Sequence, residues 1–307
     1  MIVLLEHNKI DKQKWDNCIR ECRQGLTYAL SWYLDIVAPG WGALVEDDYL
    51  SVFPLTQRKK FGFRYLYQPS FTQQLGLFSK KEIQENAVIE FLKALPDQYR
   101  IVEIQLNTEN TFEFKIKGIN CDKKLTHHLD LNRGKEELHS AYSENLKRNI
   151  RKAQKAGIQI GGKIDSVQII EMFRMYRGRD LQNLKDRDYR ILEKLTSEGL
   201  KNKSIELLGA QLPDGKFIAG AVVLRSMAGY ILLFSATTPE GRETGAMSAL
   251  IHSFIEKHSA EKMIFDFEGS MDPNLARFYK SYGSKEVVYL HIRKNKLPAP
   301  IRWLKNK

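Results

Sequence analysis

"IELLGAQLPDGKFIAGAVVLRS", residues 205–226, places apolar runs on either side of a Pro-Asp-Gly turn and so reads as two antiparallel strands in a hairpin. "GYILLFSAT" (229–237) adds a strand. "GAMSALIHSFIEKHSA" (245–260) is an amphipathic helix with Ala246, Leu250, Ile251, Phe254 and Ile255 facing inward, and "KMIFDFE" (262–268) is one more strand. The same order occurs earlier in the chain. "GALVEDDYLSVFPL" (42–55) is a hairpin turning at Asp47 and Asp48, "FRYLYQP" (63–69) a strand, "KKEIQENAVIEFLKALP" (80–96) a helix and "YRIVEIQL" (99–106) a strand. The spacing agrees as well: Asp48 to Tyr65 is 17 positions and Asp214 to Tyr230 is 16, while Tyr65 to Ile101 is 36 and Tyr230 to Met263 is 33. A repeat of this period predicts two α/β units of similar construction.

The totals support that division. At 307 residues, 43% apolar and 28% charged, the chain is long enough for two domains that each bury a core, and it has no low-complexity tract. The N-terminal "MIVLLEHNKI" is too short an apolar run for a signal peptide and reads as a first strand, and runs such as "FIAGAVVL" fall far short of a membrane span. A cytoplasmic protein, at most touching the inner membrane surface, is therefore expected. Cys18 and Cys22 lie four apart in a helical pattern with Cys121 distant, so the cysteines suggest neither a disulfide framework nor a zinc site, and no metal is expected. Lys plus Arg number 48 against 37 Asp plus Glu, a net charge of +11 that attracts polyanions: RNA, a phosphorylated substrate or an anionic membrane.

In "FDFEGSMDPNLARFYKSYG" (265–283), Met263, Phe265 and Phe267 share one strand face, and Asp266 and Glu268 fall on the other. Asp272 then supplies a helix N-cap, Pro273 the first helical residue and Gly283 a left-handed stop, with Leu275, Phe278, Tyr279 and Tyr282 at helical spacing.

Hairpin, strand, helix, strand, helix, strand resembles the GNAT N-acyltransferase fold, here in two copies. In that family an Arg/Gln-x-x-Gly-x-Gly/Ala loop opens the central helix and binds the pyrophosphate of acyl-CoA through free backbone N–H groups and the helix dipole. "GRETGAM" matches it at Arg242 and Gly245, with Met247 where a small residue is usual. "ARFYKSYG" resembles the segment whose tyrosine, here Tyr279, protonates the departing CoA thiolate, a task for an acid that stays protonated at neutral pH. The resemblance implies that Asp266 and Glu268 face the cleft as orienting groups or bases, and that backbone groups near Ser235 and Thr237 stabilise an oxyanion.

"YSENLKRNIRKAQKAGIQI" (142–160) is similar to the segment that joins the two domains of Fem-type transferases, tandem GNAT proteins that add amino acids from aminoacyl-tRNA to peptidoglycan precursors. The likeness extends over nearly the whole chain and implies domains at 1–144 and 145–295, with the tail 296–307 returning to the first and no coiled-coil arm. Ser143 caps the linking helix and Gly157 stops it, with Tyr142, Leu146, Ile150 and Ala153 inward. Lys147, Arg151 and Lys155 form a cationic stripe suited to phosphates. In "FRMYRGRDLQNLKDRDYRILEKL" (173–195), Tyr176 and Arg179 lie one helical turn apart and would reach the acceptor. Fem proteins carry Phe-Lys-x-x-Phe-Gly in the last helix; here Tyr279 takes the lysine position and Lys280 is adjacent. "YQPSFTQQLGLFS" (67–79) offers Ser70, Thr72, Gln73 and Gln74 as a first-domain pocket loop.

Three functions follow as expectations. The first is a Fem-like transferase acting on an amine of an anionic, phosphate-bearing acceptor, either a small molecule or lipid-linked, with tRNA as a partner. The second is an acyl-CoA-dependent N-acyltransferase. The third is a non-catalytic binder of RNA or of a membrane surface. Donor acyl-CoA or aminoacyl-tRNA would be a substrate, with no tightly bound cofactor and no DNA partner.

Overall fold

The computed structural model describes residues 1–60, 62–113, 115–176, 184–269 and 271–297. They divide into two compact units, Met1–Leu125 with Val287–Lys307, and Thr126–Glu286. The divisions fall at 125/126 and 286/287, not at 144/145 and 295/296, because the chain passes between units inside strands, where no turn or cap residue marks the passage.

The first unit holds β1 (Ile2–Leu5), α1 (Lys12–Glu21), α2 (Ser31–Val37), β2 (Gly42–Glu46), β3 (Ser51–Leu55), β4 (Gln57–Lys60), β5 (Phe63–Leu66), β6 (Phe78–Ser79), α3 (Glu85–Lys93) and β7 (Tyr99–Gln105). β2 and β3 pair antiparallel from Gly42↔Leu55 to Glu46↔Ser51. Their turn runs through Asp47, Asp48 and Tyr49, all at positive φ, a conformation that short aspartates adopt more readily than most residues. β1, β2, β3 and β6 form one sheet. β4 pairs antiparallel with β5, which pairs in parallel with β7, and α3 makes the crossover between those two parallel strands. Leu44, Phe53, Phe91, Leu92 and Val102 fill the core beneath α3.

The second unit begins within β8 (Asn120–Asp130). It continues through α4 (Lys135–Ser140), α5 (Glu144–Lys155), β9 (Gln159–Ile160), α6 (Ser166–Tyr176), α7 (Asp186–Lys201), β10 (Ile205–Gln211), β11 (Phe217–Ser226), β12 (Gly229–Thr237), α8 (Pro239–Thr244), α9 (Ala246–Lys257), β13 (Ile264–Asp266) and α10 (Pro273–Lys280). β14 (Lys285–Asn295) returns the chain to the first unit, where His291↔Gln105 to Asn295↔Ile101 pair it with β7. Lys296 goes on to bond the Arg100 carbonyl and Asp97 in that unit, while positions 298–307 of the tail lie outside the described residues.

The local signals of the second unit act as read. Ser143 Oγ accepts from the Leu146 N–H at the start of α5, whose Leu146, Ile150 and Ala153 are buried. Asp272 accepts from the Asn274 N–H, Pro273 opens α10, and Gly283 has φ 81°. The 205–226 hairpin forms with Ile205↔Leu224 to Ala210↔Ala219 in register. β12 and β13 are parallel neighbours joined by α9, the same crossover that α3 makes between β5 and β7. Leu250, Ile251 and Phe254 of α9 pack with Phe265 and Phe267 in the core.

What positions the site is the end of that parallel pairing. β13 meets β12 only at Gly229↔Ile264, Tyr230↔Phe265 and Ile231↔Asp266, yet β12 runs on to Thr237 against β11. A bulge at Leu233, opposite the Val222/Val223 step, bends β12 where the two partners part. Consecutive N–H groups of a strand point to opposite sides, so at least one of Ser235, Ala236 and Thr237 directs its N–H into the gap.

Candidate active site

A cavity of about 470 Å³ lies against this end of β12, lined by β12 (Ser235, Ala236, Thr237), α8 and the start of α9 (Gly241, Arg242, Gly245, Met247, Ser248), α10 (Leu275, Phe278, Tyr279), Asn149 of α5, and Phe173 and Tyr176 of α6. Ser235, Thr237, Arg242, Gly245, Tyr176 and Tyr279 are therefore brought together. Arg179 lies outside the described residues.

Residues 241–244, expected as part of the Arg242–Gly245 loop, lie in a helix, Pro239–Thr244. Thr238 caps it by accepting from the Gly241 N–H, and Pro239 occupies the first helical position. Gly245 ends α8 with φ 78° and starts α9, which has no side-chain cap, so its first N–H groups are left to the cavity. Glycine is required there for two reasons: the positive φ, and a Cβ that would come within 2.5 Å of the Asn149 carbonyl oxygen. Gly245→Ala is expected to cost about 1–3 kcal/mol in stability, read as a lower urea midpoint at unchanged m-value. An unaltered midpoint would mean that α5 and α9 are not held as described. Arg242 stands exposed at the cavity, with no carboxylate against its guanidinium among the described residues.

Tyr279 is held by rings. Phe267 stacks on it at 5.1 Å and His127 lies 5.7 Å away. His127, on β8, is fully buried with neither ring nitrogen hydrogen-bonded, and desolvation lowers its pKa, so the imidazole beside Tyr279 is neutral. Asp266 does not reach the cavity. Its Oδ1 accepts from Thr126 Oγ1 at 2.5 Å and from the Glu268 N–H, and its Oδ2 lies 3.3 Å from His128 Nε2. The strand face opposite Phe265 and Phe267 is thus covered by β8 side chains. Glu268, at φ 59°, is also outside the lining.

The basic residues are arranged differently from the expected stripe. Lys147 bonds Glu144 at 2.9 Å, which holds that carboxyl below its usual range, and Arg151 is exposed on α5 beyond the lining. Lys280 pairs with Glu286 at 2.7 Å but lines a second cavity of about 490 Å³ with Ser143, Asn145, Asn274 and Arg277. Asn149, Ser248 and Phe278 line both cavities. In the first unit, Thr72 and Gln74 of the expected pocket loop are buried, and Gln74 Oε1 accepts from the Thr108 N–H, so these groups serve the unit's own backbone.

Residues 140–280 match the acetyltransferase (GNAT) domain family. A crystal structure of FemX superposes with a TM-score of 0.71 at 14% identity, covering 97% of this chain and 99% of that one. Residues 140–280 are thus similar to a GNAT domain, and the chain has the fold of FemX. Two further structures align at lower scores. L-PGS from Bacillus licheniformis gives TM-score 0.55 and 14% identity over 96% of this chain and 95% of that one. The C-terminal domain of a protein named as a lysylphosphatidylglycerol synthetase, from Agrobacterium fabrum, gives 0.56 and 11% over 95% and 94%. No curated protein sequence matches the chain. The Fem-like architecture of two mixed α/β units is built without a helix long and apolar enough to cross a membrane among the described residues.

Within the Fem-like frame, Asn149, Ser248 and Phe173 are cavity residues that the sequence did not single out. Asn149 had a findable signal, being the polar residue between Arg148 and Ile150 on the cavity side of a capped amphipathic helix. Ser248 and Phe173 had none.

Proposed function

We propose that the second unit transfers an acyl or aminoacyl group from a donor held in the 470 Å³ cavity to an amine of an anionic, phosphate-bearing cell-envelope precursor. What carries the reading is that Tyr176, Ser235, Thr237, Arg242, Gly245 and Tyr279, drawn from three separated stretches of chain, surround one cavity. The acyl-bearing end of the donor enters between β12 and β13, with its phosphates toward Arg242 and the start of α9. A cavity of this size suits an acyl-pantetheine arm or the aminoacyl end of a tRNA, with the rest of the donor outside.

The amine attacks the bound carbonyl carbon. A C–N bond forms, the oxyanion is met by an N–H of Ser235–Thr237, and collapse breaks the C–S or C–O bond to the donor. Tyr279 gives its proton to the departing thiolate or ribose alkoxide and takes one back from solvent, and the proton lost by the amine leaves to water. Asp266, tied to Thr126 and His128, is not assigned the base role. The second cavity, with Arg277 and Lys280, is where an anionic acceptor would lie, and Arg151 on the outer face of α5 would meet a tRNA or lipid phosphates. The lysylphosphatidylglycerol synthetase name of one similar structure favours a lipid-linked acceptor over a free small molecule.

Calorimetry tests the donor. Acetyl-CoA binding at micromolar strength, about −7 to −8 kcal/mol, selects acyl-CoA. Silence to millimolar concentration together with binding of aminoacyl-tRNA selects the Fem-like donor. Silence with both overturns the transferase reading and leaves a non-catalytic binder.

A further inference from the structure

Away from the cavity, α4 and α9 bring together three groups that the proposed transfer does not use. His252 and Glu256 sit one turn apart on α9, and His139 of α4 faces them. Their donor atoms all lie within 4.8 Å of one another. His139 Nε2 is 3.4 Å from Glu256 Oε1, and His252 Nε2 is 3.4 Å from Glu256 Oε2. We propose that His139, His252 and Glu256 bind a zinc ion that clamps α4 to α9.

The distances fit the ion. Nitrogen and oxygen ligands about 2.0–2.1 Å from tetrahedral Zn²⁺ stand roughly 3.3–3.4 Å apart; each histidine is already that far from one oxygen of the Glu256 carboxylate, the two on different oxygens, and side-chain movement within the 4.8 Å span would gather one atom of each residue around an ion. Hydrogen bonding explains the cluster less well. His139 Nε2 is shielded from solvent and makes no hydrogen bond, although Glu256 Oε1 lies 3.4 Å away. A shielded ring nitrogen without a hydrogen bond, within 4.8 Å of a second imidazole nitrogen and a carboxylate oxygen, is open to a metal ion.

The surroundings prepare the ligands. Tyr142 Oη lies 3.4 Å from His252 Nδ1, on the ring edge opposite Glu256. With Nδ1–H donating to that hydroxyl, Nε2 keeps its lone pair for the ion, the arrangement by which outer groups fix the tautomer of ligating histidines. Two imidazoles and one carboxylate suit Zn²⁺ among the divalent ions, and magnesium or calcium, which take oxygen ligands, are disfavoured. The site leaves a fourth position for water, since His139 and Glu256 are partly exposed. The ion would be structural: His252 is seven residues into the helix from Gly245, about 10 Å along its axis, so no step of the transfer passes through it. Zinc spacing in the sequence misses it because one ligand lies on a different helix far upstream.

Zn²⁺ alone is titrated into the chelator-treated full chain against a chromophoric competitor at pH 7.5. One ion bound at micromolar strength or tighter is expected, with a rise in thermal midpoint. His139→Ala and His252→Ala should each weaken binding by at least about 100-fold and remove the rise, and Tyr142→Phe should weaken it about 10-fold. Co²⁺ in place of Zn²⁺ should show the visible absorption of a four-coordinate site in the wild-type protein alone. Failure to bind one equivalent overturns the proposal, and so does a tight equivalent that survives both histidine substitutions, since it would lie elsewhere. The midpoint without metal shows whether each variant is folded.

Discussion

Tyr279→Phe is expected to lower kcat with an acyl-CoA donor at least about 100-fold while the donor dissociation constant stays within about threefold. The two halves of this expectation have different physical origins. Donor affinity, in the proposed arrangement, comes from Arg242, the first N–H groups of α9 and the walls of the cavity, to which residue 279 still contributes its ring when only the hydroxyl is removed. Turnover needs a proton on the leaving sulfur as the C–S bond breaks, and in that arrangement the phenol of Tyr279, which lines the cavity, is the proposed acid. Phenylalanine keeps the ring, and with it the stack on Phe267, so the fold is not at issue. If the donor is aminoacyl-tRNA, the leaving group is a ribose hydroxyl, and a smaller loss is expected. Single-turnover measurements with each donor separate these cases, and a variant as fast as wild type with both would remove Tyr279 from the chemistry.

The helix ends were legible in the sequence and the partners of Asp266 were not, for a reason that lies in the range of the forces involved. Caps and turns act over a few residues, so Ser143, Asp272, Pro273 and Gly283 mark their helices as expected. Strand alternation likewise puts Phe265 and Phe267 in the core and Asp266 on the opposite face. What covers that opposite face is not local: Thr126 is 140 positions from Asp266 and arrives only through the β8–β13 pairing, Asp266↔His128. The helix at 239–244 is a different kind of miss. Thr238, Pro239 and Gly245 spell a cap, a first turn and a stop, and a loop glycine drew attention from them. Lys147 and Lys280 are each paired at short distance with a carboxylate nearby in the chain, Glu144 three residues away and Glu286 six. The domain limits were unreadable because β8 and β14 cross them as continuous strands, with no change of composition to show where one unit yields to the other.

Phe267→Ala is expected to destabilise the chain by about 3–5 kcal/mol, enough to leave a marginally stable domain partly unfolded at 37 °C. Phe267 is fully buried, and it contacts Phe265 at 4.6 Å, Tyr279 at 5.1 Å and Tyr282 at 5.4 Å. Removing it opens a cavity among three rings that are fixed to different elements and cannot collapse together. The position also joins stability to catalysis, because the face of Tyr279 turned toward the core rests on this ring. Phe267→Leu separates the two effects. It restores most of the volume, with a cost of about 1–2 kcal/mol, but leaves Tyr279 without its flat support. The folded Leu variant should therefore bind acetyl-CoA normally and turn over several-fold more slowly, with kcat falling and KM unchanged. If Phe267→Leu loses stability yet keeps full kcat, the stack is core packing alone and Tyr279 is positioned by its own helix.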